Sequence, residues 1–217
     1  MLPSTGRLEK RKMNITNGAV VIVFTWLLFM LSHSWLASEW VKDYLVRLIP
    51  SLKFAYRLAY NILSLAFVAA LLYFHSRIIS PDLIPESQIL DIISYVLLIL
   101  GFWIIYRSLI SYNFSEFVGL VPSGDSNQSL VTSGMNKWVR HPLYLGSTLV
   151  FLSLFLMFSS LDVLLSLLLS VLYIWIGSRF EEVRLKRVFG SAYQKYQKRT
   201  PAFVPRNPIS FFKSMFN

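Results

Sequence analysis

The sequence predicts an all-α polytopic membrane protein with about five transmembrane helices, the last two a tight hairpin, plus a cytoplasmic amphipathic C-terminal helix. Hydrophobic residues make up 55% of the 217 residues and charged residues only 15%, against roughly 25% in soluble domains. Apolar stretches long enough to cross a bilayer recur along the chain. Basic residues collect near the ends of these stretches, as they do beside membrane helices.

Crossing the hydrocarbon core takes about 20 mainly apolar residues. Five segments have this character: residues 17–37, 55–77, 88–111, 143–159 and 161–180. Because only a short turn separates the last two, we expect them to be antiparallel neighbours. The chain is then one membrane domain, residues 1–217. It consists of a tail (1–16), a three-helix part (17–111), and a part (112–217) with a long loop, the hairpin and a C-terminal tail.

The segment after residue 180 has the pattern of an amphipathic helix. Basic residues occupy much of it, and its apolar residues are spaced by three and four positions: Leu185, Val188, Phe189, Tyr193 and Tyr196. This spacing places the apolar residues on one helix face. Such a helix can lie on a membrane surface, either as an anchor or as a cover over a site.

The distribution of basic residues predicts the orientation in the membrane. With five spans, fourteen basic residues fall on the side of the long loop and the C-terminal tail, and five fall on the other side. The richer side is expected to face the cytoplasm. Four of the five opposing residues lie in the tail at residues 1–16, which is therefore either cytoplasmic or exported; a start at Met13 would remove this conflict.

The net charge of +10 and the absence of cysteine exclude several functions. A basic soluble protein would suggest a nucleic-acid partner, but here the charges flank apolar segments, so we expect a lipid bilayer and no nucleic acid. Cysteine nucleophiles and cysteine–metal sites are excluded. We see no metal-ligand spacing and no phosphate-binding loop.

Polar and ionisable residues converge where the long loop enters the fourth predicted span, at Arg140, His141 and Pro142. Proline suits the first turn of a helix, where no backbone donor is needed. The free amides of that turn favour an anion such as a carboxylate, and Arg140 and His141 add positive charge. The alternative is that these residues are interfacial anchors of an ordinary helix.

Glu181 and Glu182 follow the fifth predicted span. The hairpin returns the end of this span to the start of the fourth, so both carboxylates can approach His141. A carboxylate beside cations suits a zwitterionic ligand, although a plain surface ion pair has the same composition.

His33 lies inside the first predicted span, and an ionisable residue there is a functional candidate. The alternative is a neutral histidine hydrogen-bonded between helices. Tyr60 and Asn61 in the second span are expected to form interhelical hydrogen bonds.

Several of these residues form a pattern that resembles the isoprenylcysteine carboxyl methyltransferase family. The pattern consists of residues 130–134, then Arg140-His141-Pro142-x-Tyr144-x-Gly146, then Glu181-Glu182 with Leu185, Phe189-Gly190, Tyr193, Tyr196 and Thr200-Pro201. The N-terminal half, with His33-Ser34 and Tyr60-Asn61, is similar to the methanethiol S-methyltransferase-like branch.

The resemblance implies a membrane enzyme that uses S-adenosyl-L-methionine and methylates a small thiol or a lipophilic thiol, carboxylate or amine. The implied cofactor-binding residues are Gln128, Leu130, Val131, Asn136, His141, Pro142, Leu143, Tyr144, Glu181 and Glu182. The implied catalytic residues are Arg140 and Arg179, the latter being the nearest candidate for the family's substrate arginine. Asn136 departs from the family, which usually has an aromatic residue there.

Two other functions are compatible with the pattern. One is an NADPH-dependent sterol-reductase-like enzyme, which shares a related C-terminal pattern but has more spans. The other is a non-enzymatic membrane component that retains the fold. Binding of S-adenosylhomocysteine or of NADPH would distinguish these functions from a methyltransferase.

Overall fold

The computed structural model describes residues 14–110 and 129–215. The regular elements in these ranges are helical, in the order α1 (Ile15–Leu36), α2 (Glu39–Leu48), α3 (Leu52–His75), α4 (Gln88–Ile110), a short 3-10 helix (Gly134–Lys137), α5 (Pro142–Phe158), α6 (Leu161–Arg199) and α7 (Pro208–Met215). The prediction of an all-helical chain is confirmed for the part of the chain that the structure describes.

Four helices in the described ranges are long and apolar enough to cross a membrane: α1, α3, α4 and α6. Helix α5 is also apolar but has only 17 residues. Many large apolar side chains on α1, α3 and α4 are exposed, as expected of a lipid-facing surface. The chain is thus an integral membrane protein, whereas the predicted count of five spans remains a prediction.

The bundle is built around close contacts of α1 and α5 with their neighbours. Helix α1 packs against α3 and α6, and α5 packs against α4 and α6. Trp26 of α1 contacts Ser166, and Ser34, two turns later, contacts Tyr173, so α1 and α6 run parallel. The start of α5, the end of α1 and the middle of α6 therefore lie toward the same end of the bundle.

Helices α4 and α5 cross where each has a glycine. A Cβ atom on Gly101 would lie 2.9 Å from the Gly146 carbonyl oxygen, and one on Gly146 would lie 2.8 Å from the Gly101 oxygen. Small residues at such a crossing let two helix backbones approach closely, which is a main source of helix association in lipid. Gly146, part of the sequence pattern after Tyr144, therefore has a packing role.

The opposite end of the bundle is held by a polar network. The His75 Nδ1 lies 2.5 Å from an Asp162 carboxylate oxygen, and its Nε2 lies 3.0 Å from the Ser166 hydroxyl. The Trp26 indole N–H donates to the same hydroxyl over 2.9 Å. One histidine thus links α1, α3 and α6 inside the bundle through partners that satisfy both of its nitrogens.

Helix α6 is interrupted at Gly190, where φ is 53° and ψ is −126°. In a straight helix Glu182 and Gln197 would be about 22 Å apart. Instead, the Gln197 amide donates to Glu182 Oε2 over 2.9 Å, so residues 191–199 turn back along the preceding helix. A positive φ with this ψ is adopted readily only by glycine.

This reversal corrects the predicted amphipathic helix after residue 180. The expected single apolar face does not form, because Gly190 divides the stretch into two arms. Val188 on the first arm is exposed, whereas Tyr193 and Tyr196 on the second arm are buried. The two tyrosines pack toward the protein, so residues 181–199 do not form one surface helix with a single apolar face.

We expect Gly146→Ala to lower the midpoint of thermal unfolding in detergent, because the added methyl group would meet a backbone oxygen that cannot move aside. Overpacking of this kind costs about 1–3 kcal/mol. Gly177→Ala is the matched control, since a Cβ there meets nothing within 4 Å. The control should be neutral or slightly stabilising, and an equal loss in both variants would contradict the close crossing.

We expect Gly190→Ala to loosen the second arm of α6, because alanine held at this positive φ and negative ψ costs about 1–3 kcal/mol. Limited proteolysis should then cut the chain after residue 190 faster than in the wild-type protein. Gly177→Ala again serves as the control, as it lies in the regular part of the same helix. Unchanged proteolysis of Gly190→Ala would show that the reversal does not depend on glycine.

Candidate active site at the start of α5

The candidate site forms where the C-terminal tail crosses the start of α5. The Arg140 amide donates to the Pro201 carbonyl over 2.8 Å, and the His141 amide donates to the Ala202 carbonyl over 3.1 Å. The Phe203 ring lies 5.5 Å from the His141 ring. The segment after α6 therefore holds the residues before α5 in a fixed conformation.

Arg140 is engaged by several partners. Its Nε donates to Glu182 Oε1 over 2.9 Å, and a second guanidinium nitrogen contacts the same oxygen. Its remaining terminal nitrogen donates to the Thr200 and Gln197 carbonyls, at 2.5 and 3.3 Å. The Arg140 and Glu182 side chains are only 10% and 8% exposed. Nε and both terminal nitrogens of Arg140 thus have partners, and these hydrogen bonds join the tail to α6.

His141 lies between the two glutamates that the hairpin was expected to bring near it. Its Nδ1 is 3.3 Å from Glu181 Oε2, and its Nε2 is 3.2 Å from Glu182 Oε1. The imidazole is buried, and the Tyr144 ring stacks on it at 5.5 Å. The structure therefore joins the start of α5 to the middle of α6 through one histidine.

The two glutamates differ in their surroundings. Glu182 is buried and accepts hydrogen bonds from Arg140 and from Gln197. The Glu181 side chain is 43% exposed and forms a side-chain hydrogen bond with Tyr144. Glu182 thus neutralises the Arg140 guanidinium group, whereas Glu181 presents a negative charge that a ligand could reach.

The first turn of α5 contributes backbone donors beside this carboxylate. Pro142 occupies its first position and has no N–H, and the Leu143 and Tyr144 amides have no partner within the helix because they precede its first complete turn. Leu143 and Tyr144 are half-buried. An anionic group could be held here by these amides, and the partly exposed Glu181 carboxylate could hold a cationic group beside it.

The segment that precedes Arg140 also contacts the site. Asn136 is buried in the 3-10 helix. Its side-chain amide donates to the Arg140 carbonyl over 3.3 Å, and its backbone carbonyl accepts a hydrogen bond from the Tyr196 hydroxyl at 2.6 Å. Leu130 and Val131 are half-buried nearby in sequence. Gln128 lies outside the described residues. Asn136, where the family usually has an aromatic residue, thus contacts both Arg140 and the second arm of α6.

Arg179 is not drawn into this cluster. Its side chain lies over the Trp175 ring, 5.5 Å from the centroid, and the residue is exposed. The structure therefore places Arg179 one helical turn from Trp175 on an outer surface of α6. Its predicted catalytic role stays a prediction.

Two residues of the site, Gln197 and Phe203, were not predicted from the sequence; they contact Glu182 and His141, respectively. Thr200, whose carbonyl accepts from Arg140, belongs to the family pattern but was given no role in the site. The composition of this tail suggests only a basic surface segment. A signal was present in Gly190, because glycine within a strongly helical stretch is typical of a bend.

We expect Glu182→Gln to destabilise the protein by about 3–5 kcal/mol, because it leaves Arg140 buried without a counter-charge. Glu181→Gln is the matched control; its side chain is 43% exposed, so a loss of about 0–1 kcal/mol is expected. Thermal unfolding in detergent would measure both. Equal effects would contradict the assignment of Glu182 as the structural carboxylate.

Comparison with known proteins finds relatives among membrane methyltransferases. Residues 90–192 match the family described as phospholipid methyltransferase. Methanethiol S-methyltransferase 2 of Bradyrhizobium diazoefficiens is 30% identical over 203 residues, which cover 89% of this chain and 75% of that protein. Methanethiol S-methyltransferase of Pseudomonas deceptionensis is 36% identical over 94 residues, covering 42% of this chain and 35% of that protein.

A protein with a different name is also similar to this chain. The cobalt-zinc-cadmium resistance protein CzcN of Cupriavidus metallidurans is 41% identical over 86 residues, 39% of each chain. No solved structure matches the chain. The extent of the similarity to the methanethiol enzymes, together with the family match over α4 to α6, leads to one conclusion: this chain belongs to the family of integral membrane methyltransferases that includes the methanethiol S-methyltransferases.

Proposed function

We propose that this protein transfers a methyl group from S-adenosyl-L-methionine to a small thiol. The observation that carries the proposal is the cluster of His141, Tyr144 and Glu181 at the start of α5, backed by the buried Arg140–Glu182 pair. The names of the similar proteins support methyl transfer and a thiol acceptor. A lipophilic carboxylate or amine is the other acceptor class.

The cluster fits the charges of this cofactor. S-adenosyl-L-methionine supplies an electrophilic methyl group on a positively charged sulfur, and it carries a carboxylate and an ammonium group. The half-exposed Glu181 carboxylate suits the ammonium group, and the amides of Leu143 and Tyr144 suit the carboxylate. The Tyr144 ring offers a face for the sulfonium or for adenine.

Other residues of the predicted set would line the same cleft. We place Leu130, Val131, Asn136, His141, Pro142 and Glu182 around the cofactor, whereas the cofactor-binding role expected for Gln128 stays a prediction. For Arg140 we propose a positioning role instead of contact with the reacting atoms, because its donors are directed to Glu182 and the tail carbonyls. Arg179 would contact an anionic methyl acceptor, and it is less suited to a thiol acceptor.

Catalysis in this proposal comes mainly from placement. Methyl transfer needs the acceptor atom in line with the breaking carbon–sulfur bond, and holding two reactants in such a geometry can supply about 7–11 kcal/mol of the barrier. The tail that crosses His141 through Ala202 and Phe203 would keep water away from that geometry.

The proposed topology has five spans, with α5 as the short fourth one. The site end of the bundle then shares a side with the fourteen basic residues of the loops and tail, and we place that side in the cytoplasm. The cofactor would enter from the cytoplasm, and an apolar acceptor could enter from the bilayer between the helices.

We expect S-adenosylhomocysteine to raise the midpoint of thermal unfolding of the detergent-purified protein, by mass action on the folded state. Glu181→Ala should abolish this increase, because it removes the carboxylate that a cationic group would contact. The matched control is Glu39→Ala on α2, a 75% exposed glutamate that pairs with Arg184 at the surface and should leave the increase intact.

The same preparation should transfer a labelled methyl group from S-adenosyl-L-methionine to a short alkyl thiol. If NADPH raised the midpoint of thermal unfolding and S-adenosylhomocysteine did not, the proposal would be overturned in favour of a reductase. Binding without transfer to any thiol, lipid amine or prenylated cysteine would favour a non-enzymatic component.

A further inference from the structure

We propose that the acceptor thiol binds within the membrane beside His33, and that Tyr60 and His33 together accept its proton. This inference rests on the proposed function and names the acceptor site and proton acceptor for the same reaction. It starts from a polar cluster on three membrane helices, α1, α3 and α6, that the cofactor cleft does not include.

The cluster is centred on the His33 imidazole. Its Nδ1 lies 3.0 Å from the Ser64 hydroxyl, and its Nε2 is hydrogen-bonded to the Tyr60 hydroxyl. The Tyr60 ring is 4.6 Å from the imidazole centroid, and the Tyr173 ring meets its edge at 6.0 Å. Tyr173 in turn pairs with the Ser34 hydroxyl at 3.0 Å.

The hydrogen bonds determine which nitrogen carries the proton. Ser64 donates its hydroxyl hydrogen to the Tyr60 carbonyl over 2.9 Å, so its oxygen can only accept from His33. The Nδ1 of His33 must therefore carry hydrogen. In the neutral ring Nε2 then has a free electron pair, which accepts the Tyr60 hydroxyl. This is the state that a proton acceptor needs.

The cluster lies at the same end of the bundle as the candidate cofactor cleft. Tyr173 of the cluster precedes Glu181 by eight residues in the regular part of α6, which is about 12 Å along the helix axis. The cluster and the cleft are therefore neighbours along α6. An acceptor beside Tyr60 would approach a cofactor held at Glu181 from the membrane side.

The space beside His33 suits a small acceptor. A narrow cleft beside His33 is lined by Phe29, Ser32, Tyr60 and Ser64, and it is open on one side. Its empty space, about 150 Å³ with the open side included, is too small for a prenylated cysteine or a phospholipid headgroup. An alkyl thiol of few carbons would enter the cleft by displacing these side chains slightly.

The proton transfer completes the reaction with all atoms accounted for. The acceptor sulfur forms a bond to the methyl carbon, and the electron pair of the broken carbon–sulfur bond stays on the donor sulfur. The thiol proton passes to the Tyr60 oxygen while the Tyr60 proton passes to His33 Nε2. The products are a methyl thioether, a neutral donor thioether and an imidazolium ion that later releases its proton to water.

A purely structural role for His33, as an interhelical hydrogen-bonding group, makes a different prediction about acceptor acidity. A proton acceptor matters for a weakly acidic alkyl thiol and much less for an acidic aryl thiol, which reaches the site already ionised. Among the described residues, the titratable groups in contact with His33 are Tyr60 and Tyr173. Loss of packing would slow both thiols alike.

We expect His33→Asn and Tyr60→Phe, in the full-length protein in detergent, to lower kcat with a short alkyl thiol by about 10²–10⁴-fold. The decrease in kcat should be smaller with an aryl thiol, and smaller at higher pH, because in both cases more of the thiol is already ionised. S-adenosylhomocysteine should stabilise both variants as it does the wild-type protein. The matched control is His75→Asn, which breaks the contact with Asp162 at the other end of the bundle and should lower stability without changing the dependence on thiol acidity.

A second readout needs no turnover. Ethanethiol should raise the thermal stability of the wild-type protein loaded with S-adenosylhomocysteine, and Ser32→Phe, which fills the pocket, should remove that increase. Turnover of His33→Asn within about threefold of wild type, or an equal loss with alkyl and aryl thiols, would overturn the inference. Failure of S-adenosylhomocysteine to bind the wild-type protein would instead refute the proposed function.

Discussion

The buried ion pair between Arg140 and Glu182 is the interaction on which the rest of the site depends. An isolated charge is too costly to bury, so each partner must be supplied with enough hydrogen bonds to compensate for lost water. Here the compensation comes from the tail, through the Thr200 carbonyl and the Gln197 amide. The pair therefore couples three distant parts of the chain, and His141 is held in place because it contacts the same carboxylate.

The remainder of the bundle follows from the solvent that surrounds it. Lipid provides little hydrophobic driving force between helices, so association depends on close packing and on interhelical hydrogen bonds. Gly101 and Gly146 supply the close packing between α4 and α5. The His75 and His33 networks supply hydrogen bonds at two depths in the remaining helices. Polar groups are costly to place in a membrane. In the proposal above, His33 and Tyr60 serve twice, because they join helices by hydrogen bonds and also accept a proton.

Proximity across the hairpin could be predicted from the sequence, and the path of the tail could not. The approach of Glu181 and Glu182 to His141 follows from two apolar segments joined by a short turn, since that connection permits only antiparallel neighbours. The contacts of Gln197 and Thr200 depend on the reversal at Gly190. The periodicity of apolar residues does not reveal this reversal, because it predicts one continuous helix. The positioning role proposed for Arg140 depends on the same reversal, since two of its partners, the Gln197 and Thr200 carbonyls, lie beyond it in the chain.

Hydropathy alone determined that the chain is helical and lies in a membrane, because backbone groups in lipid must be satisfied within each segment. The pattern around Arg140, His141 and Glu181 alone indicated the family. Only the tertiary structure decided which glutamate is buried and which is exposed, and which nitrogen of His33 carries hydrogen. These choices depend on how each helix is rotated against its neighbours, a property that many side chains set together and that no single segment encodes.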